Sequence, residues 1–133
     1  IIDPRNLGSC LRSAAVLEVD AVIVNKHQCA PVNQVVHDVS SGGIELLNIF
    51  YVSNLVNCLK HLQDENIKVF GLSEHADMSY QNGKKLYINI VEKKTAEKCD
   101  LLINLSDNGN FKSFNVSVAT GIILSEVVRQ RKC

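Results

Sequence analysis

The sequence predicts an α/β fold with one mostly parallel sheet and helices on both of its faces. Short β-branched runs alternate along the chain with segments whose apolar residues recur every three or four positions. The length of 133 residues suits one domain with a single core, and no proline-rich or serine-rich linker divides it. Ligands of such sheets bind at the carboxyl ends of the strands, so the fold class also localises a site.

The first half of the chain predicts helix, strand, helix and strand in that order. After a turn signal at Asp3–Asn6, apolar residues at helical spacing predict a first helix over Leu7–Leu17. A continuous apolar run predicts a buried strand at Ala21–Val24. Helical spacing returns over Val32–Val39, and the apolar run Leu46–Val52 predicts the second strand.

The second half continues the alternation. Ser53 is predicted to cap a helix that carries apolar residues from Leu55 to Leu62. A long final helix is predicted over Val116–Val127. Short apolar runs predict three further strands at Ile67–Leu72, Leu86–Val91 and Asp100–Leu105.

Composition excludes several classes of function. Fourteen basic and fourteen acidic residues give no net charge, so any contact with RNA has to be local. The five cysteines are odd in number and form no C-x-x-C pair, and the histidines lack metal-ligand spacing, so neither a disulfide framework nor a metal site is expected. No run of membrane-spanning length occurs, and we expect a cytoplasmic protein, with an organelle as the alternative.

The common nucleotide-binding and hydrolase motifs are also absent. The sequence has no G-x-G-x-x-G, no G-x-x-x-x-G-K-[ST] and no G-x-S-x-G. Dinucleotide-binding, P-loop and α/β-hydrolase functions are therefore disfavoured, and the remaining signal lies in two other stretches.

These two stretches are Asp3–Ala14, which reads DPRNLGSCLRSA, and Ser113–Ala119, which reads SFNVSVA. They resemble the first and third motifs of the SpoU (TrmH-like) family of RNA ribose 2′-O-methyltransferases, D-P-x-N-x-G-x-x-x-R-[ST]-A and S-L-N-V-S-[VN]-A. Both occur in the family's order and the resemblance extends over nearly the whole chain. Within that family it is greatest to the enzymes that methylate a guanosine of 23S rRNA.

The resemblance implies a fold that periodicity does not predict, an α/β knot of the deep trefoil type whose pocket binds S-adenosylmethionine. It also implies a homodimer that pairs through the first and last helices, with RNA as the substrate and no membrane association. The chain then corresponds to the catalytic domain over residues 1–133, without the N-terminal RNA-binding domain that such methyltransferases carry.

The resemblance assigns four catalytic residues. Arg12 matches the arginine that contacts phosphate or helps to activate the 2′-hydroxyl, a role suited to its planar, permanently charged fork. Asn6 matches the asparagine that shapes the same pocket. Ser113 and Asn115 match the polar residues of the third motif, which orient the ribose and the arginine. The alternative for Ser113 and Asn115 is a plain helix cap.

Two departures from the family pattern concern the cofactor. The second motif, a G-x-E-G-x-G loop expected after Val91, is absent, and Glu92 follows directly. Either the sequence omits a loop that the protein has, which the family-like flanks favour, or the chain has lost it. The family's I-P-M-x-G is also altered, yet Leu105 and Phe114 still match apolar positions that line the cofactor.

Three hypotheses follow from these residues. The first is a methyltransferase that uses S-adenosylmethionine and acts on ribosomal RNA, or on transfer RNA as the alternative substrate. The second is a noncatalytic knotted RNA-binding or scaffold protein that has lost the cofactor loop. The third, an unrelated doubly wound nucleotide-binding module, requires two chance motif matches and is disfavoured.

Overall fold

The computed structural model describes residues 1–73, 95–105 and 114–132. Contacts divide the chain into two compact units. The first comprises Ile1–Leu55 and Asn115–Ser125, and the second comprises Val56–Phe114 and Glu126–Cys133. The strand predicted at Leu86–Val91 and the candidate residue Ser113 lie outside the described residues.

The first unit begins with helix α1, Pro4–Val16. The helix starts three residues earlier than predicted because the Asp3–Asn6 stretch, expected to be a turn, is itself the helix start. The Asp3 carboxylate accepts a hydrogen bond from the Arg5 backbone N–H at 2.9 Å. Pro4 occupies the first helical position, where no backbone N–H is needed.

A parallel strand pair follows in this unit. Strand β1, Val22–Asn25, pairs with strand β2, Ile49–Val52, with Val22 opposite Ile49. Helix α2, Gln34–Ser40, connects them, followed by a 3₁₀ turn at Gly43–Leu46. The prediction that the second strand begins at Leu46 was wrong. The 3₁₀ turn includes Leu46, and the strand begins at Ile49.

The core of the first unit lies between α1, α2 and the strands. Its buried members are Leu7, Leu11, Ala30, Val36 and Ile44. Gly8 lets α2 approach closely, because a Cβ added there would lie 2.9 Å from the Cβ of Val39 and 3.0 Å from the Val36 carbonyl oxygen. Only glycine fits this contact without displacement, which gives the glycine of the first stretch a packing role.

The second unit holds helix α3 and a second parallel pair. Helix α3 spans Leu55–Asp64, with its first residue in the first unit. It begins two residues after Ser53, so Ser53 was wrong as its cap; Asn54 directly precedes the helix. Strand β3, Phe70–Leu72, pairs in parallel with strand β4, Leu101–Ile103.

Asp100 joins these elements. Its side chain accepts hydrogen bonds from the Val69 backbone N–H at 2.7 Å and from the Gln63 side-chain amide at 3.1 Å. Its own backbone N–H donates to the Val69 carbonyl at 2.7 Å. These donors lower the pKa of the Asp100 carboxyl, the Val69 N–H contributing most. Asp100 thereby fixes the starts of β3 and β4 and the end of α3.

Helix α4, Val116–Arg131, closes the chain. Its residues up to Ser125 belong to the first unit and the remainder to the second. The predicted α/β class with parallel strands is confirmed. The inclusion of all strands in one sheet, with helices on both faces, stays a prediction.

Candidate functional site

The start of α4 is built around Asn115. Its side-chain Oδ1 accepts hydrogen bonds from the Ser117 backbone N–H at 2.9 Å and from the Ser117 hydroxyl at 2.6 Å. These bonds satisfy one of the amides that a helix start leaves without an intrahelical acceptor. Asn115 is therefore a helix cap, as the alternative interpretation of this stretch expected.

The same side chain also reaches the first stretch. Asn115 donates from Nδ2 to Oδ1 of Asn6 at 3.1 Å, across 109 positions of sequence. Capping uses the oxygen and leaves the amide nitrogen free for this contact, so the two roles do not compete. The structure thus joins two of the four predicted catalytic residues.

A second pair of side chains links α1 to α4. The Cys10 thiol lies 3.3 Å from the Thr120 hydroxyl oxygen in a buried position. Thr120 donates its only hydroxyl hydrogen to the Val116 carbonyl at 2.7 Å, so the thiol is the donor between the two. Burial raises the pKa of Cys10, against a smaller opposing effect of the Thr120 hydrogen bond. Cys10 is thus a packing and hydrogen-bonding residue, not a thiolate nucleophile.

Arg12, unlike Asn6 and Cys10, makes no hydrogen bond with the described residues at the start of α4. Its side chain is exposed, and among the described residues it makes no hydrogen bond or ion pair. Six residues after Asn6, it projects about 120° away from it around the helix axis. The backbone of Arg12 lies against the 3₁₀ turn, since a Cβ on Gly43 would come 3.4 Å from its Cα. The structure therefore leaves the guanidinium free for an external anion and does not bring it into contact with Asn6.

The two predicted cofactor residues belong to the second unit. Leu105 follows β4 by two residues and is half-buried, and Phe114 is 46% exposed. Apolar surface just beyond the carboxyl end of a parallel strand suits the adenine ring of a nucleotide-like cofactor. The position of Leu105 therefore suits the adenine side of S-adenosylmethionine, and the cofactor-binding role of Leu105 and Phe114 stays a prediction.

The glycine-rich second motif remains missing. The sequence is continuous over residues 1–133, with Glu92 directly after Val91. The expectation that a loop present in the protein had been omitted is wrong, and this chain lacks the motif.

Sequence reasoning missed three residues that organise this site. Asp3 caps α1, Ser117 holds the amide of Asn115, and Thr120 orders the contact with Cys10. The spacing Asn115-x-Ser117 is a signal for the capping bond, because a cap residue accepts from a backbone amide two or three positions on.

The described part of the chain has neither a metal-ligand cluster nor a membrane-spanning helix. Among residues 1–73, 95–105 and 114–132, no three His, Cys, Asp or Glu side chains are grouped to hold a metal ion. In the same ranges, no helix combines the length and apolar character required to cross a membrane.

Comparison with known families gives a match along most of the chain. Residues 1–125 match the model of the SpoU rRNA Methylase family. The chain is 39% identical to the 23S rRNA (guanosine-2′-O-)-methyltransferase RlmB of Xanthomonas campestris over 138 residues, which cover 97% of this chain and 55% of that protein. It is 41% identical to RlmB of Escherichia coli over 140 residues, which cover 98% of this chain and 58% of the relative.

The lengths of these matches are informative. The chain spans little more than half of the curated relatives it matches. Both alignments are longer than its 133 residues, so each relative has residues within the matched region that have no counterpart here. This is the result expected if an internal loop is missing from this chain.

Solved structures share the fold. The A. aeolicus TrmH/SpoU tRNA modifying enzyme superposes with a TM-score of 0.86 at 22% identity, over 99% of this chain and 72% of the other. The methyltransferase AviRb from Streptomyces viridochromogenes, solved in complex with AdoMet, superposes with a TM-score of 0.85 at 23% identity, over 98% of this chain and 54% of the other.

Proposed function

Because this chain belongs to the SpoU rRNA methylase family, we propose that it methylates a ribose 2′-hydroxyl of RNA, at a guanosine of 23S rRNA, with S-adenosylmethionine as the methyl donor. The observation that carries the proposal is the hydrogen bond between Asn6 and Asn115, which joins the first and third motif stretches of the family. The 23S rRNA guanosine is proposed because relatives at 39% and 41% identity are named as enzymes for that substrate.

In the proposed methyl transfer, the main role of this chain is to position the reacting groups. S-adenosylmethionine, when bound, supplies a methyl group activated by a sulfonium centre. A ribose hydroxyl is a weak nucleophile, so its oxygen has to be aligned and its proton accepted as the bond forms. Arg12 is proposed to grip an RNA phosphate with two N–H groups, for which its exposed guanidinium is free. Asn6 and Asn115 orient the ribose.

The cofactor is proposed to contact the second unit. Leu105 and Phe114 offer apolar surface for the adenine ring. We also propose the knotted form of the α/β fold, supported by the family and by TM-scores of 0.82 and 0.86 to two solved structures titled as TrmH or TrmH/SpoU proteins.

A homodimer through α1 and α4 is part of the same proposal. Both helices expose large apolar side chains to solvent in the single chain, Val16 at 72% and Val118 at 49%. Covering such side chains against a second copy removes apolar area from water. Light scattering at micromolar concentration tests this, and a monomer mass would contradict it.

A second candidate is favoured by one observation, the absence of the glycine-rich motif after Val91. A knotted protein that keeps Arg12 and the Asn6–Asn115 contact but lacks that loop could bind RNA without transferring a methyl group. The two functions share the RNA contact and differ in whether S-adenosylmethionine binds.

Calorimetric titration of the protein with S-adenosylmethionine separates them. The enzyme proposal expects saturable binding that Leu105→Asp abolishes, because the carboxylate places a charge in the apolar slot. Leu46→Asp is the matched control, since it adds the same charge to a leucine of the first unit that is 80% exposed. Absence of binding by the unaltered protein, together with retained RNA affinity, would favour the noncatalytic function.

A further inference from the structure

The Asn115 amide has a fixed polarity. The backbone N–H of Ser117 lies 2.9 Å from one end of that amide, and a backbone N–H can only donate. The end that faces Ser117 must therefore be the oxygen, and the Ser117 hydroxyl at 2.6 Å donates to the same atom. Rotating the amide by half a turn would set two donors against each other.

This polarity is transmitted to Asn6. With its oxygen held by Ser117, Asn115 presents only its amide nitrogen to Asn6, at 3.1 Å. Asn6 therefore accepts this hydrogen bond with its Oδ1 atom. Its Nδ2 group then points away from Asn115. Among the described residues that Nδ2 group has no hydrogen-bond partner, and the Asn6 side chain is only half-buried.

We propose that Ser117 and Asn115 are positioning residues that compel Asn6 to present a hydrogen-bond donor to an oxygen of the RNA backbone. The Asn6 Nδ2 group can only donate, so the atom that it meets has to be a hydrogen-bond acceptor. Ribose and phosphate oxygens of RNA meet this requirement, whereas a ligand that offers only an N–H or ammonium group does not. The inference rests on the proposed function, since it names what Asn6 recognises in the same site.

The sharpest variant is Asn6→Asp. A carboxylate still accepts from Asn115, so the link between the helices is kept. The outward group changes from donor to acceptor, and the side chain gains a negative charge. Asn33→Asp is the matched control. It adds the same charge in the same unit and preserves the cap of α2, because the Asn33 oxygen accepts from the Val36 N–H at 3.2 Å.

Ser117 is tested by a pair of substitutions. Ser117→Ala removes the hydroxyl donor and leaves the backbone N–H as the only group that fixes Asn115. Ser117→Thr restores a hydroxyl at the same position. A purely structural role would be visible as reduced thermal stability of the alanine variant without a selective change in the RNA parameters.

The measurement is steady-state methyl transfer to transcribed 23S rRNA, with the dissociation constant for S-adenosylmethionine determined in parallel. Asn6→Asp is expected to raise KM for RNA about tenfold or more, the loss of one hydrogen bond to a charged partner, with cofactor affinity unchanged. Asn33→Asp should stay within about twofold. Ser117→Ala should raise KM by about threefold, since one of two donors remains, and Ser117→Thr should return it to the unaltered value.

Two results would overturn the inference in distinguishable ways. If the unaltered protein methylates RNA and Asn6→Asp does so with the same KM, Asn6 presents no donor to RNA while the proposed function stands. If the unaltered protein neither methylates nor binds RNA, the proposed function fails and this inference fails with it.

Discussion

Two glycines inside helices should respond to the same substitution with opposite signs. Alanine in a helix interior is favoured over glycine by about 1 kcal/mol when space is available. At Gly121 in α4 the nearest neighbour of an added Cβ is the Ser13 Oγ at 3.8 Å, an ordinary contact. Gly121→Ala is therefore expected to stabilise the protein by up to about 1 kcal/mol.

At Gly8 the added Cβ would lie 2.9 Å from the Val39 Cβ and 3.0 Å from the Val36 carbonyl oxygen. Carbon atoms prefer separations above about 3.5 Å, so α1 and α2 must move apart by roughly 0.6 Å. Neither neighbour is the end of a flexible side chain, and overpacking of this kind costs about 1–3 kcal/mol. After subtracting the helix preference, Gly8→Ala should destabilise the protein by about 1 kcal/mol.

Urea unfolding monitored by circular dichroism measures both values. The transition midpoint should fall for Gly8→Ala and rise for Gly121→Ala, with the slope of the free energy against urea unchanged in each. If Gly8→Ala stabilised the protein as much as Gly121→Ala does, the close approach of α1 and α2 at Gly8 would be refuted.

Three further outcomes are expected. Arg12→Lys keeps the positive charge but loses the bidentate contact with phosphate. Single-turnover methylation should therefore slow about a hundredfold, while the calorimetric affinity for S-adenosylmethionine is retained. A near-normal rate would remove Arg12 from the mechanism. Asp100→Ala leaves the Val69 N–H without its acceptor and should lower the free energy of unfolding by about 1–3 kcal/mol in urea, whereas an unchanged midpoint would contradict that role. The Arg129 guanidinium and a weaker Gln130 contact lower the pKa of Glu126 from 4.5 to about 2. The ionised Glu126 carboxylate therefore stabilises the folded protein fully above pH 4.5, and this contribution is lost as pH falls toward 2. The difference in melting temperature between the unaltered protein and Glu126→Gln should vanish over the same interval.

Much of the fold could be predicted from the pattern of apolar residues. Strands β1 to β4 and helices α1 to α4 lie where β-branched runs or helical spacing placed them, because burial of one face imposes that spacing. Boundaries were less accurate. The 3₁₀ turn at Gly43–Leu46 shortens the second strand, and capping by Asp3 starts α1 within a stretch that was predicted as a turn.

The family could be predicted from the two motif stretches, and the match over residues 1–125 confirms it. The geometry of the site could not, because the hydrogen bond from Asn115 to Asn6 joins residues 109 positions apart. Nor does sequence show that Asn115 both caps a helix and reaches α1, since capping and ligand binding favour the same short polar side chains. Arg12 remains a candidate from the resemblance, with an exposed position that is compatible with a phosphate contact.

The proposed activity is the transfer of a methyl group to a ribose of RNA. Its most direct test is incubation of the protein with transcribed 23S rRNA and S-adenosylmethionine, followed by digestion to nucleosides and mass spectrometry. We expect 2′-O-methylguanosine to accumulate only when both the protein and the methyl donor are present. A guanosine methylated on its base, or no methylated nucleoside although the protein binds both RNA and S-adenosylmethionine, would contradict it.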